Sequence, residues 1–111
     1  MTASNQIRIL IVDDSKLVRE GLKVVLDTAG RPALRVVGEA GSNAEAVAAC
    51  ARLKPDLALL DISLPDGPGF TACREMLRLH LSIRIIVLTA HTSHRLIHKA
   101  VMGDPATAPG W

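Results

Sequence analysis

The amino-acid sequence predicts an α/β fold in which a doubly wound parallel sheet lies between layers of helices. Short apolar runs typical of strands alternate four times with amphipathic segments typical of helices, and this alternation favours a parallel sheet with right-handed crossovers. Hydrophobic residues make up 49% of the 111 residues and aromatic residues only 2%, so aliphatic side chains have to form most of the core. A chain of this length is expected to form one domain.

The four strands are predicted from runs of β-branched and aliphatic residues that are bounded by turn residues. They are residues 7–12, 34–40, 57–61 and 83–88. The four helices, predicted from apolar residues at helical spacing, are residues 16–29 with Ser15 as the cap, 44–53, 70–80 and 93–102. Residues 64–69 form a turn, and residues 103–111 are rich in Pro, Gly and Ala, which predicts an irregular tail after a domain at residues 7–102.

Each predicted helix has one apolar side that we expect to face the core. These sides comprise Val18, Leu22, Val25, Leu26 and Ala29 in the first helix, Ala46, Val47 and Cys50 in the second, Phe70, Cys73 and Leu77 in the third, and Leu96, Ile97, Ala100 and Val101 in the fourth. The two cysteines are therefore expected to be buried, reduced thiols, which favours a reducing cytoplasm.

Charge and hydropathy argue against several classes of function. The net charge is only +2, and the basic residues are scattered along the chain, so neither a nucleic-acid patch nor a membrane patch is expected. The sequence does not open with a basic segment followed by an apolar stretch, and no apolar run is long enough to span a bilayer. A secreted or membrane-inserted protein is therefore not expected.

Polar side chains stand where three of the predicted strands end. Asp13 and Asp14 follow the first strand, Asp61 ends the third, and Thr89 follows the fourth. Because the carboxyl ends of parallel strands open onto one edge of the sheet, we expect these residues to converge. Asp61 taken alone is equally typical of a turn or a helix cap.

Converging carboxylates suggest a cation and a phosphoryl reaction. Carboxylates that are crowded together repel each other unless a cation lies between them, and an all-oxygen site suits Mg²⁺. A carboxylate held beside Mg²⁺ can attack phosphorus and form an aspartyl phosphate. The Thr89 hydroxyl and the backbone N–H groups after Asp61 and Thr89 are then candidates to hold the phosphoryl oxygens.

The sequence resembles the receiver domain of bacterial two-component response regulators over residues 7–102. The motif residues, each set placed after a strand, are Asp13 and Asp14, then Asp61 with Pro65 and Gly69, then Thr89 and Ala90. Residues 18–22 (VREGL) and 36–40 (VVGEA) are similar to the LuxR/NarL-type subfamily, whose receivers precede a helix-turn-helix domain. The resemblance implies a flavodoxin-like sheet with strand order 2-1-3-4.

By this resemblance, Asp61 accepts a phosphoryl group from a sensor histidine kinase. Asp14, assisted by Asp13, holds Mg²⁺, while Asp61 and the carbonyl of Ser63 complete the protein ligands. The chain would act in phosphorelay signalling as part of a transcriptional response regulator. It would not be an enzyme in the usual sense, because it would catalyse only its own phosphorylation and dephosphorylation.

The resemblance also implies which residues surround the phosphoryl group. Thr89 contacts the group and reports its presence, and the backbone N–H of Ala90 lies beside it. Ser63 and His91, each two places after a motif residue, are expected to line the entrance and to tune hydrolysis. Both positions are equally well interpreted as ordinary loop residues.

The sequence departs from the receiver pattern after the fourth predicted helix. Receivers continue into a fifth strand that ends in a lysine and then into a fifth helix, whereas Pro105 and Pro109 follow here, and proline does not fit an inner strand. Lys99 lies inside the predicted helix and is not expected to replace that lysine. We therefore expect a truncated receiver with impaired phosphorylation, no DNA-binding domain, and an exposed edge at residues 83–88 that favours self-association.

Other functions remain open. A contact-only pseudo-receiver keeps the fold without the chemistry, and the missing lysine favours it. A phosphohydrolase of the haloacid-dehalogenase type is less consistent, because its nucleophile ends the first strand and its second acid comes two residues later, unlike the adjacent Asp13 and Asp14. His91, His94 and His98 can share a helical face, but no zinc site is expected without an accompanying cysteine or carboxylate. A Rossmann fold is excluded because no glycine-rich loop follows the first strand.

Overall fold

A computed structural model describes residues 6–29, 33–88 and 101–102. The main sheet contains β1 (Ile7–Val12), β2 (Leu34–Ala40), β3 (Leu57–Asp61), β6 (Arg84–Leu88) and β7 (Val101–Met102). A small hairpin contains β4 (Ser63–Leu64) and β5 (Gly67–Pro68), and the helices are α1 (Lys16–Thr28), α2 (Asn43–Leu53) and α3 (Phe70–Leu79). The four predicted strands and the first three predicted helices are confirmed to within one residue at each end.

The strand order of the main sheet is β2-β1-β3-β6-β7. β1 pairs with β2 and with β3 in parallel, and β3 pairs with β6 in parallel. The predicted α/β class is therefore confirmed. The predicted strand order 2-1-3-4 is also confirmed, since the fourth predicted strand is β6 of the structure. The carboxyl ends of β1, β3 and β6 all open onto one edge of the sheet, which we call the acidic edge.

The prediction that the fourth helix extends to residue 102 is wrong. Val101 and Met102 form β7, which runs antiparallel to β6 and pairs with Ile86 and Ile85 respectively. The unpaired backbone groups of an edge strand are satisfied when another segment adds to the sheet, so β6 is not a bare edge at these two positions. Residues 93–100 of that predicted helix lie outside the described residues.

Residues 64–69, predicted as a turn, do reverse the chain, and they belong to a short hairpin whose turn lies at Pro65 and Asp66. Ser63 pairs with Pro68 and Leu64 pairs with Gly67 in an antiparallel hairpin. Proline fits here because β5 belongs to a two-stranded hairpin and not to the interior of the sheet. The hairpin holds the segment after Asp61 in a defined shape.

The two faces of the sheet are covered differently. We call the face against α2 and α3 the two-helix face, and its fully buried strand residues are Leu10, Val12, Ala58, Leu60, Ile85 and Val87. The helices contribute Ala46, Ala49, Cys50, Ala72, Cys73, Met76 and Leu77 to the same cluster. Both cysteines are buried and free, as predicted, and their burial raises the pKa of each thiol.

The opposite face, which we call the α1 face, has a smaller buried core. Its buried residues are Ile9, Ile11 and Leu59, and Leu22 and Leu26 of α1 pack against them while remaining partly exposed. The prediction that Val18, Val25 and Ala29 lie in the core is wrong, because Val18 is 40% exposed, Val25 is 61% exposed, and Ala29 is also exposed. The apolar side of α1 is wider than the part of the helix that contacts the sheet.

The helix ends follow local rules. The Ser15 hydroxyl accepts a hydrogen bond from the Val18 N–H and the Ser42 hydroxyl accepts one from the Glu45 N–H, so each serine satisfies an otherwise unpaired donor of its helix. α2 ends at Lys54, which has a φ of 48°. The following Pro55 disfavours a right-handed helical conformation at Lys54, and the chain reverses into β3.

Candidate cation and phosphoryl site

The structure brings Asp13, Asp14 and Asp61 together at the acidic edge. One carboxylate oxygen of each residue lies within 4.8 Å of the corresponding oxygen of the other two. β1 and β3 are neighbours in the sheet, so the residues that end these strands are necessarily close, although they are far apart in sequence. Asp14 is exposed, whereas Asp13 and Asp61 are half-buried.

Asp13 is the most constrained of the three acids. Its N–H donates to the Ala40 carbonyl at 2.9 Å, and its side-chain Oδ1 accepts a hydrogen bond from the Ser15 N–H at 2.8 Å. Burial raises the pKa of Asp13, and the neighbouring charges of Asp61 and Asp14 raise it further, against the opposing effect of the Ser15 hydrogen bond. The repulsion among the three carboxylates is a smaller cause than burial, and a cation placed between them would relieve it.

Asp61 is held by the segment that follows it. The Ser63 N–H donates to Asp61 Oδ1 at 3.2 Å, and the Gly69 N–H donates to the Ile62 carbonyl at 2.7 Å. A Cβ atom at Gly69 would collide with the Asp61 carbonyl oxygen and would also lie 3.3 Å from Leu60 Cγ. Position 69 therefore requires glycine because the chain packs directly against the backbone of Asp61.

Asn43 and Asp66 connect this segment to α2. Asp66 Oδ1 and Oδ2 accept hydrogen bonds from the N–H groups of Asn43 and Ala44, at 2.8 and 3.0 Å, and so cap α2. In return, Asn43 Oδ1 accepts a hydrogen bond from the Ala72 N–H at 2.9 Å and so caps α3, while its Nδ2 donates to the Gly67 carbonyl. The hydrogen bonds that Asp66 accepts from Asn43 and Ala44 lower the pKa of its carboxyl group.

Sequence reasoning missed this reciprocal cap. The only available signals were the position of Asn43 beside the Ser42 cap and the position of Asp66 in a Pro/Gly-rich segment. Each residue is typical of a local turn, and nothing local indicates that the two lie together across 23 positions. The cap fixes the segment after Asp61 against two helices at once.

Arg19 and Glu39 form a second contact that the sequence did not predict as such. Arg19 Nε donates to Glu39 Oε1 at 2.9 Å, and Arg19 Nη1 donates to the Asp13 carbonyl at 2.6 Å. The two residues belong to the two stretches, 18–22 and 36–40, that resemble the LuxR/NarL-type subfamily. The structure therefore joins these stretches to each other and to the acidic edge.

The donor set fits a hard divalent cation. Mg²⁺ prefers oxygen ligands, accepts one or two protein carboxylates and keeps several waters. No Lys, Arg or His in the described part of the chain forms an ion pair with any of the three clustered carboxylates, so their charge is available to a cation. Partly exposed Asp14 and Asp61 leave room for water and for a phosphoryl group.

The remaining predicted site residues are placed only in part. Ser63 lies on β4 and is exposed, and its N–H donates to the Asp61 carboxylate. Thr89, Ala90 and His91 lie outside the described residues, although the described strand β6 ends at Leu88, one residue before Thr89.

Comparison with known proteins identifies the family. The model of the response regulator receiver domain matches residues 9–105. The chain belongs to the response regulator receiver domain family, whose members act in two-component signalling.

The most informative relatives are transcriptional response regulators. The chain is 42% identical over 96 residues to the DNA-binding transcriptional activator DevR/DosR of Mycobacterium tuberculosis, covering 86% of this chain and 43% of that protein. It is 36% identical over 100 residues to the response regulator UvrY of Escherichia coli, covering 90% of this chain and 45% of that protein. The chain thus spans less than half the length of these two relatives.

A solved structure supports the same assignment. The crystal structure of a LuxR-family two-component response regulator from Aurantimonas sp. SI85-9A1 matches with a TM-score of 0.74 and 33% identity, covering 86% of this chain and 66% of that chain. The family and the LuxR/NarL-type likeness predicted from the sequence are confirmed. Within the described residues, no helix has the length and apolar character that crossing a membrane requires.

Proposed function

We propose that this chain receives a phosphoryl group from a sensor histidine kinase on Asp61, in a site that holds Mg²⁺ between Asp13, Asp14 and Asp61. The observation that supports this function is the convergence of the three carboxylates within 4.8 Å of one another. The carbonyl of Ser63 is the fourth proposed protein ligand. The family assignment supports a histidine kinase as the partner.

Asp61 is the best placed of the three acids to act as the nucleophile. It ends an inner strand, its Oδ1 is oriented by the Ser63 N–H at 3.2 Å, and its backbone is fixed by Gly69. In the proposed transfer, a carboxylate oxygen of Asp61 attacks phosphorus, an O–P bond forms and the P–N bond of the kinase phosphohistidine breaks. The electron pair of that bond returns to the imidazole nitrogen, which takes up a proton. Bound Mg²⁺ would neutralise charge on the carboxylates and the phosphoryl oxygens.

The other residues are assigned supporting parts. Asp13 and Asp14 hold the cation, and the N–H of Ser63 is close enough to Asp61 to orient its carboxylate. We propose that Thr89 and the N–H of Ala90 bind the phosphoryl oxygens, because β6 ends at the acidic edge with Leu88, the residue before Thr89. Ser63 and His91 are proposed to tune the access of water to the aspartyl phosphate.

The test is phosphorylation by a small donor. The chain is incubated with acetyl phosphate and Mg²⁺, and intact mass spectrometry should show the gain of one phosphoryl group that is lost on adding hydroxylamine. Asp61→Asn should abolish the adduct, whereas Asp27→Asn, a matched change on the exposed part of α1, should keep it. A persistent adduct in Asp61→Asn, or its mapping to Asp13 or Asp14, would contradict the assignment.

A contact-only receiver is a second candidate, and one observation favours it. β7 runs antiparallel to β6, so its carboxyl end, at Met102, is directed away from the acidic edge. Such a strand cannot bring a lysine from its carboxyl end to the phosphoryl group, in contrast to the parallel fifth strand of other receivers. Absence of any adduct with acetyl phosphate, together with retained folding, would favour this candidate.

A further inference from the structure

Arg19 connects the acidic edge to α1 and β2 through one side chain. Its side chain is only 18% exposed, and its two hydrogen bonds, to Glu39 Oε1 and to the Asp13 carbonyl, are donated by two different nitrogens, Nε and Nη1. The rigid fork of a guanidinium can serve two such acceptors at once, whereas a lysine ammonium is a single point charge. The contact to Asp13 is short and charge-assisted, which makes it one of the stronger types of hydrogen bond.

The carbonyl that Arg19 contacts belongs to the peptide bond between Asp13 and Asp14. The peptide unit is planar, so fixing its carbonyl oxygen also fixes the direction in which the chain enters Asp14. Asp14 is exposed, and its carboxylate makes no hydrogen bond within the described residues. The position of the Asp14 carboxylate therefore depends on the orientation of this peptide plane.

Glu39 holds Arg19 in the required rotamer. Its Oε1 accepts from Arg19, and its Oε2 accepts from Lys23 Nζ at 2.8 Å. Both contacts lower the pKa of Glu39, so the carboxylate remains charged and available to Arg19. Lys23 also pairs with Glu20. Arg74 is exposed on α3 and forms no ion pair within the described residues, so it offers a matched control outside this network.

We propose that Arg19, anchored by Glu39, is a positioning residue for the cation site and sets the geometry between Asp13 and Asp14. This inference rests on the proposed Mg²⁺ site. Charge and geometry predict opposite effects of removing Arg19. A nearby positive charge repels Mg²⁺, so the loss of charge alone would tighten cation binding, whereas the loss of positioning weakens it.

The test measures Mg²⁺ binding to the full chain by calorimetric titration with magnesium chloride. Outer-shell partners of metal ligands typically change metal affinity by about 10-fold or more, so Arg19→Gln should weaken Mg²⁺ binding by about that factor. Arg19→Lys keeps the charge and should also weaken binding, because its single nitrogen does not reproduce the separate positions of Nε and Nη1 that reach the two acceptors. Glu39→Gln should weaken binding less, and Arg74→Gln, a matched change on the exposed side of α3, should leave it unchanged.

A second readout separates positioning from a purely structural effect. The amide resonance of Asp14 reports directly on the peptide plane that Arg19 contacts. In nitrogen-15 correlation spectra, it should shift in Arg19→Lys but not in the matched Arg74→Lys. Parent-like Mg²⁺ affinity in a folded Arg19→Lys, or tighter binding in Arg19→Gln, would overturn the inference and leave the proposed function intact. Failure of the parent chain itself to bind Mg²⁺ would overturn both.

Discussion

The two faces of the sheet show how unequally one chain can build its core. On the two-helix face, residues of α2 and α3 such as Ala46, Cys50 and Met76 are fully buried against the strands. On the α1 face, no residue of α1 is fully buried, and Leu22 and Leu26 provide the contact. Apolar periodicity is present in all three helices, so periodicity by itself does not measure how deeply a helix is buried.

The difference bears on function because the site draws on both faces. The segment after Asp61 is fixed to the two-helix face by the Asn43–Asp66 cap, whereas Asp13 is tied to α1 through Arg19. We therefore expect Asp61 to be held by the more stable part of the molecule and Asp13 by the less stable part.

The largest expected difference in stability comes from replacing one leucine by alanine on each face of the sheet. Leu77→Ala removes a side chain that is 7% exposed and should lower the free energy of unfolding by about 2–5 kcal/mol, as is typical when a cavity is created in a core. Leu26→Ala removes a partly exposed side chain of α1 and should cost about 1 kcal/mol. Urea denaturation of both variants measures the difference. Equal losses would show that the α1 face is as tightly packed as the two-helix face.

A glycine pair should give effects of opposite sign. Gly69→Ala places a Cβ against the Asp61 carbonyl and Leu60, and it should destabilise the fold by about 1–3 kcal/mol because backbone has to move. Gly21→Ala in α1 has no atom within 4 Å of the new Cβ, and it should stabilise the fold by about 0.5–1 kcal/mol through helix propensity. Thermal unfolding checks both. Destabilisation by Gly21→Ala would indicate that α1 is more closely covered than its exposure suggests.

Removing a helix cap should also destabilise the fold more on the two-helix face than on the α1 face. The Asn43 side chain is buried, accepts a hydrogen bond from the Ala72 N–H and donates one to the Gly67 carbonyl. Asn43→Ala should lower the free energy of unfolding by about 1–3 kcal/mol, because these groups lose their partner. Ser15→Ala removes only the local cap of α1 and should cost about 1 kcal/mol. Denaturant titration compares the two, and a larger loss for Ser15→Ala would reverse the order proposed for the two faces.

The stability of the fold at acidic pH should depend on Asp66. Hydrogen bonds to Asn43 and Ala44 lower its pKa in the folded protein, so its contribution is present above the unfolded value near 3.8 and is lost as the pH falls through the lower folded value. Asp66→Asn should therefore be less stable than the parent at neutral pH, and the gap should narrow below about pH 4. Melting temperatures across this range measure the gap, and a constant gap would argue against the cap.

The smallest effect is expected at Asp13 and has the opposite sign. Burial raises the pKa of Asp13, and the charges of Asp61 and Asp14 raise it further. The Ser15 hydrogen bond opposes this rise in part. The folded state therefore binds this proton more tightly, and this group contributes stability below the unfolded value near 3.8 that is lost as the pH rises through the folded value. Without Mg²⁺, Asp13→Asn should melt slightly above the parent at neutral pH. With Mg²⁺, the parent should gain melting temperature and Asp13→Asn should gain less.

Much of the fold could be predicted because its signals are local. The runs at Ile7–Val12 and Leu34–Ala40, the cap at Ser15 and the stop before Pro55 each depend on a few neighbouring residues, and the structure matches them closely. The convergence of Asp13, Asp14 and Asp61 required one further step, the rule that parallel strands share a carboxyl edge. Thr89, Ala90 and His91, outside the described residues, stay predictions.

The sequence by itself determined the order of strands and helices, the acids at the strand ends and the family. The tertiary structure decided that Val18 and Val25 are exposed, because burial of a helix depends on what other elements cover it. It also decided the Arg19 contact to Glu39 and the pairing of Asn43 with Asp66. Such contacts join residues that are distant in sequence, and no local pattern encodes them because they arise only when the sheet brings separate segments side by side.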